Sequence, residues 1–338
     1  MWTELDLKSW IGNRREKKMN KIADIHSHII YDIDDGSNSL DTTLKLIEME
    51  YKQGVRDIFC TSHSYYMENN FKLYNERFSE INKIVNNKYS DLSLYKGCEI
   101  LLHKHKILSI IKNIDNNVFP TLNNTKYVLV EFDPDNTDGI QEMIYCLRKI
   151  LEHKYIPIIA HAERYGKLYE NIIEDISYLR EIGCLVQINL YSVSQDKGER
   201  KDIANLLLTH KLVDFVGTDA HRLNYKSPEV TIGVEELYKI YDADYVDNIV
   251  YNNADILRTK TENDKKAYSK DILSYSWISI KDWFPRSAKT IPCWIKNQED
   301  VDLVFLSEDE QYFISISKKK KYPVDQVQYW VACAHPTL

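Results

Sequence analysis

The sequence predicts an α/β protein built on a parallel sheet, open or closed into a barrel, with a small β-rich domain behind it. Short β-rich runs alternate with stretches of helical periodicity, which implies parallel strands joined by crossover helices. Ionisable residues recur where those runs end, the position at which parallel α/β folds bind ligands. The texture then changes after about residue 270, where helical spacing gives way to alternating runs and tryptophans.

Composition bounds what such a chain can do. With 338 residues, 43% hydrophobic and 28% charged, it can bury one large core or two unequal ones and stay in solution. A net charge of −7 argues against nucleic acid as a partner, since phosphate binding leaves a basic excess. Cys60, Cys98, Cys146, Cys184, Cys293 and Cys333 form no C-x-x-C pair, so neither a disulfide framework nor a zinc ribbon is expected and the compartment is read as reducing. No run reaches the ~20 apolar residues of a membrane span, and the first twenty residues lack a secretory apolar centre, so the expected location is cytoplasmic.

Residues 1–20 read as a flexible leader. Trp2, Leu5, Trp10 and Ile11 ahead of "NRREKK" would also suit peripheral contact with an anionic membrane surface.

Seven strands follow within residues 21–262: "KIADIHSH", "VRDIFCTSH", "LSLYKGCEI", "KYVLVEF", "IPIIAHAER", "CLVQINL" and "VDFVGTDAH". Between the first two, Leu40, Leu44, Ile47 and Tyr51 share a helical face, with Ser39 as N-cap and Gly54 as stop. Further helices are expected over 71–88, 138–154, 169–182, 199–211 and 229–242. The polar stretch 263–274 reads as a linker, and 275–338 as a β-rich accessory domain whose runs "VDLVFL" and "YFISIS" flank a turn-like "SEDEQ".

The strand ends carry the chemistry. His26 and His28 close the first strand, His63 the second, Glu99 the third, Glu131 the fourth, His161 the fifth, and Asp219 with His221 the seventh; Asp35 lies in the loop after the first. The sixth ends at "INLYS" with no ligand in view. A His-x-His pair alone arises about 0.3 times by chance in a chain of this histidine content. Alternation, however, puts His26 and His28 on one side of their strand, where both rings can face one ion. Five histidines and four carboxylates would be costly to bury unpaired, and divalent cations satisfy all nine. A thiolate-free set favours manganese, iron, zinc or magnesium over soft metals.

"DIHSHIIYDIDDG", "TSH", "GCEI", "LVEF", "IAHAERY" and "GTDAH" resemble, in order and spacing, the polymerase and histidinol phosphatase (PHP) superfamily, and within it the bacterial tyrosine phosphatases of capsule and exopolysaccharide clusters. The resemblance covers roughly 20 to 260. It implies a distorted (βα)7 barrel and three divalent ions, manganese first. One would be held by His26, His28, Glu99 and Asp219, a second by Glu99, Glu131 and His161, and a third by Asp35, His63 and His221. It also marks Arg164 as a catalytic phosphate clamp, since a planar guanidinium grips two phosphoryl oxygens, against the alternative of a surface ion pair with Glu163 or a neighbour. Arg222, in "HRLNYKSP", is a further candidate for substrate contact. After His63, "SYYMENN" departs from relatives that place histidine or basic residues there, and Tyr65 and Tyr66 could stack on an aromatic substrate or simply be exposed loop residues.

The activity so implied is hydrolysis of phosphotyrosine by a metal-bridging hydroxide, on the tail of a tyrosine autokinase controlling polysaccharide export. Three divalent ions, four carboxylates, one arginine and a hydroxide leave a positive surplus that a phosphomonoester dianion cancels. The thiol route is disfavoured, because no cysteine stands five residues before an arginine. Cys60, Cys98 and Cys184 read as core packing. The alternatives are another PHP phosphoesterase, acting on histidinol phosphate or a nucleotide or DNA end, and a weakly catalytic scaffold whose C-terminal domain binds a partner. "WISIKDWFP" and "VQYWVACAHP" resemble the ends of a small phage-associated domain of unknown function, covering 276–336. Its Asp282, Cys333 and His335 form no ligand set, and its partner is not indicated.

Overall fold

The computed structural model describes residues 21–194 and 197–259. The leader, the linker and the accessory domain expected at 1–20, 263–274 and 275–338 lie outside the described residues. Eight parallel strands are described: β1 (Ile22–Ser27), β2 (Val55–Cys60), β3 (Ser93–Lys96), β4 (Glu99–Leu101), β5 (Tyr127–Glu131), β6 (Ile156–Ile159), β7 (Leu185–Asn189) and β8 (Phe215–Gly217). They hydrogen-bond in the orders β1-β2-β3 and β4-β5-β6-β7-β8.

The two sheets join at both edges. Beyond β8, Asp219 N–H donates to the His26 carbonyl and His28 N–H to that of Ala220, each at 2.8 Å. Beyond β2, His63 bridges to Glu99. The strands thus follow one another round a ring, and all seven expected runs are present.

The third run is the one that differs. It comes in two pieces, β3 against β2 and β4 against β5, so Glu99 opens a strand instead of closing one. The break falls at Gly97, where a Cβ would meet Leu122 Cδ2 at 2.7 Å and Thr61 Cγ2 at 3.0 Å. Only glycine lets the chain turn there from one sheet to the next.

Helices cover the ring. The first, α1 (Leu40–Lys52), starts as expected: Ser39 Oγ accepts from Thr42 N–H at 3.2 Å, satisfying one of the free N–H groups of the first turn. The second, α2 (Ser64–Lys88), begins seven residues before the expected 71, so Tyr65 and Tyr66 lie on a helix and not in a loop. Residues 107–115, for which no helix was expected, form one burying Ile107, Ile110, Ile111 and Ile114. Inside the ring, Ala23, Ile25, Phe59, Leu129, Ile158 and Phe215 from five strands form a buried cluster with Ala254 and Leu257. Each large apolar side chain so buried contributes about 1.5–3 kcal/mol.

Candidate metal centre

The C-terminal strand ends, the loops beyond them and the start of β4 bring all nine candidate ligands together. Four sets have prospective ligand atoms within 4.8 Å of one another: His28, Asp35, His63 and His221; His26, His28 and Asp219; His26, Glu99 and His161; and His63, Glu99 and Glu131. His26, His28, His63 and Glu99 each belong to two, so the sets interlock into one centre. The grouping differs in detail from that implied by the resemblance. Glu131 Oε1 lies 2.9 Å from His63 Nδ1, whereas its other oxygen is 3.8 Å from His161 Nε2.

Divalent ions fit these residues on two grounds. The first is spacing: His26 Nε2 lies 3.1 Å from His28 Nε2, 3.3 Å from Glu99 Oε1 and 3.6 Å from Asp219 Oδ1. An ion about 2.1 Å from each of its ligands holds tetrahedral neighbours about 3.4 Å apart. Two ring nitrogens in contact also cannot both present lone pairs to each other: either one carries a hydrogen or both bind a cation. The second ground is unmet valence. Glu99 Oε2 and His221 Nε2 are buried without a hydrogen-bond partner, although His28 Nε2 and His63 Nδ1 stand 3.1 and 3.0 Å from that oxygen.

The histidines are oriented from outside. His28 Nδ1 faces Asp34 Oδ2 at 2.9 Å and His221 Nδ1 the Asp219 carbonyl at 2.7 Å, which leaves each Nε2 turned to the centre. His161 Nδ1 meets the hydroxyl of fully buried Tyr165 at 3.1 Å, and that hydroxyl accepts from Phe132 N–H. Burial, and then the charge of Arg164, push His161 down to about 4; burial, and then His28, push His221 down to about 2. Both rings are neutral near pH 7, the form a metal takes. His161 and Asp219 have left-handed backbones, with φ of 34° and 54°. Such strain costs on the order of 1–3 kcal/mol and collects at functional sites.

Arg164 is not paired with Glu163. Its Nη2 donates to Asp219 Oδ2 at 2.5 Å, and Lys226 Nζ reaches the same oxygen at 2.9 Å. Burial works to raise the Asp219 carboxyl, but Arg164, His26, Lys226 and His221 outweigh it and hold the group well below its ordinary value. Glu163 turns away, accepting from Asn189 N–H at 3.1 Å and Ser192 Oγ at 2.7 Å. Arg222 is exposed, and one of its nitrogens is engaged. Its Nε donates to the carbonyls of Asp35 and Gly36 at 3.1 and 3.2 Å, tying down the loop that carries Asp35. Lys226 and Tyr165 escaped the sequence reading. Their side chains gain meaning only from the partners folding brings, although Tyr165 does lie in the motif "HAERY".

At the rim, exposed Tyr65 stacks on His63, ring centroids 4.9 Å apart, and touches Tyr66 at 4.7 Å. Exposed Tyr225 stands edge-on to His221 at 6.4 Å.

Comparison with known proteins agrees with this architecture. The family model for "Capsular polysaccharide synthesis, CpsB/CapC" matches residues 22–258. Tyrosine-protein phosphatase CpsB of Streptococcus pneumoniae is 33% identical over 240 residues, which is 69% of this chain and 96% of that protein. Tyrosine-protein phosphatase YwqE of Bacillus subtilis is 26% identical over 243 residues, 71% of this chain and 93% of its own. A solved structure from work on YwqE and CpsB, described there as unique metal-dependent tyrosine phosphatases, shares the fold with a TM-score of 0.61 at 24% identity, covering 71% of this chain and 96% of its own. The barrel's ring of parallel strands is therefore of the PHP type, and the chain belongs to the CpsB/CapC family of capsular polysaccharide synthesis.

Proposed function

We propose that the protein is a metal-dependent protein-tyrosine phosphatase whose substrate is a phosphotyrosine protein, the tail of a bacterial tyrosine kinase that controls capsule or exopolysaccharide synthesis. The observation that carries this reading is the convergence of five histidines and four carboxylates, two of their buried atoms unpartnered, beside Arg164 and Lys226. The names of the relatives supply the ester. Three divalent ions, manganese first, would be held by His26, His28, Asp35, His63, Glu99, Glu131, His161, Asp219 and His221. Bound there, they would supply Lewis-acid charge to phosphoryl oxygens and acidify a water.

The chain's own residues do the rest. Arg164 and Lys226 converge on one oxygen of Asp219 and place two fixed positive charges where a phosphomonoester dianion enters. The exposed Tyr65 ring offers a face for the aryl group. A thiolate mechanism has no support among the described cysteines: Cys60, Cys98, Cys146 and Cys184 are buried, and burial pushes each thiol up, away from the reactive form. No helix of the described residues is long and apolar enough to cross a membrane. A cytoplasmic enzyme meeting the kinase at the membrane surface fits the proposal.

The test is turnover by the full chain with manganese on a phosphotyrosine peptide, histidinol phosphate and a phosphorylated DNA end, with a chelator control and Arg164→Ala. Manganese-dependent release of phosphate from the peptide is expected, lost in chelator. Preference for histidinol phosphate or DNA would move the substrate to another PHP activity. No metal-dependent turnover on any of the three would overturn the enzyme reading.

A further inference from the structure

The strand without a candidate ligand, β7, lies between β6 and β8 and ends in two buried amides, Gln187 and Asn189. Being two residues apart, they project from the same side of the strand. Gln187 Oε1 accepts from the His161 backbone N–H at 2.8 Å and faces His26 Nδ1 at 3.2 Å. Gln187 Nε2 donates to Asn189 Oδ1 at 2.9 Å, and Asn189 Nδ2 donates to Asp219 Oδ2 at 3.2 Å.

The two ends of this chain remove the usual ambiguity of amide side chains. A backbone N–H can only donate, so the Gln187 oxygen must face His161. A carboxylate can only accept, so the Asn189 nitrogen must face Asp219. With both amides set, the His26 nitrogen against Gln187 Oε1 has to carry the hydrogen. His26 Nε2 then keeps its lone pair toward His28, Glu99 and Asp219. At the far end, Asn189 joins Arg164 and Lys226 on Asp219 Oδ2, and the other oxygen, Oδ1, is left 3.6, 3.5 and 3.4 Å from the ring nitrogens of His26, His28 and His221. The neighbouring strand makes room: a Cβ at Gly217 would lie 2.8 Å from His26 Cβ and 3.0 Å from Gln187 Nε2.

We propose that Gln187 and Asn189 are positioning residues, a buried two-amide relay that selects which nitrogen of His26 and which oxygen of Asp219 are offered to a divalent ion. This rests on the reading that the centre binds such ions. The relay also anchors the left-handed backbone of His161 through its N–H, so one strand with no ligand of its own orients three residues of the centre.

The test uses the full chain stripped of metal. Manganese(II) is titrated in and the free ion followed by electron paramagnetic resonance, and long-range 1H–15N spectra of the metal-free protein report the His26 tautomer. Gln187→Met and Asn189→Leu should each weaken manganese binding about 10–100-fold, the scale of lost outer-shell hydrogen bonds. Gln187→Met should also shift His26 from the Nδ1–H toward the Nε2–H form. Gln187→Glu keeps an oxygen for His26 and His161 but cannot donate to Asn189, so it should preserve the tautomer and still lose affinity. A merely structural role would lower the melting temperature of the metal-free variants and leave the tautomer alone. Wild-type affinity in the folded variants, or an unchanged His26 tautomer in Gln187→Met, overturns the relay alone. Absence of manganese binding by the wild type overturns the metal reading with it. If Gln187→Met does not fold, Gln187→Glu and Asn189→Leu decide.

Discussion

On the β8 side of the centre, Asp219 is surrounded by donors the chain supplies permanently: Arg164, Lys226 and Asn189 all meet one of its oxygens. On the β4–β5 side, Glu131 faces Glu99 and histidines. Burial, and then the charge of Glu99, push the Glu131 carboxyl up. The same residue chemistry thus has opposite surroundings on two sides of one centre. Negative charge is already balanced beside β8, by cations and an amide that the fold itself holds in place. Beside β4 and β5 the balance depends on something that can come and go, a proton on a histidine or a metal ion.

Removing metal should disturb this contrast most severely. Chelation should destabilise the protein chiefly through the β4–β5 carboxylates. Each site saturated at 100 times its dissociation constant contributes about 2.7 kcal/mol. Three such sites, about 8 kcal/mol together, correspond to a fall on the order of 20 °C in melting temperature for a domain of this size. Calorimetry with and without chelator measures it, and superimposable melting curves would mean the clustered acids need no cation.

Next in size is the loss of a fixed cation from the other side. Arg164→Ala should lower kcat/KM on phosphotyrosine about 10²–10³-fold, the cost of removing one donor to a developing charge. Because Arg164 also holds Asp219 Oδ2, the comparison is made at saturating manganese, where both proteins are fully loaded. Steady-state kinetics with metal analysis separates the two effects, and full activity in the variant would remove the clamp.

Smaller again is the dependence on pH. Burial works to lower His63, but Glu99 and Glu131 outweigh it and push the ring up to about 11. Burial and His63 likewise work against His28, which Asp34 and Glu99 raise to about 9. In the metal-free protein both rings hold a proton at pH 7 that an ion must displace, so manganese affinity should rise with pH by about tenfold per unit for each proton released. Both folded values lie above that of an unfolded histidine, near 6.5. The stabilisation they give the metal-free fold is therefore complete below about pH 6.5 and lost as pH rises through about 9 and then 11. A manganese affinity that is flat between pH 6.5 and 9 would contradict this.

The candidate ligands were legible in the sequence for a physical reason. Strand alternation and the position of strand ends are local properties, and "HSH" or "GTDAH" displays them without knowledge of the fold. The rest depended on distance. Gln187 stands 161 residues from His26, and nothing in "CLVQINL" announces that its amide will lie beneath a histidine pair. Lys226 is an ordinary loop lysine until β8 brings Asp219 to it.

Two element-level differences have similar causes. "ILSIIKNID" is a short apolar run rich in isoleucine, equally at home in a strand or a helix. "SYYMENN" holds poor helix formers, yet the Tyr66 and Met67 N–H groups both donate to the His63 carbonyl and Met67 is buried, so packing starts the helix early. The break at Gly97 was invisible because it arises from the close approach of Leu122 and Thr61.

Nine side chains at the rim of the strand ring are expected to form one cage for divalent ions. Anomalous diffraction from crystals of the full chain grown with manganese would show whether they do. Strong peaks are expected, enclosed by His26, His28, Asp35, His63, Glu99, Glu131, His161, Asp219 and His221, with Arg164 at their edge. Peaks elsewhere on the surface, or a centre in which these residues remain paired only with one another at saturating manganese, would contradict the cage.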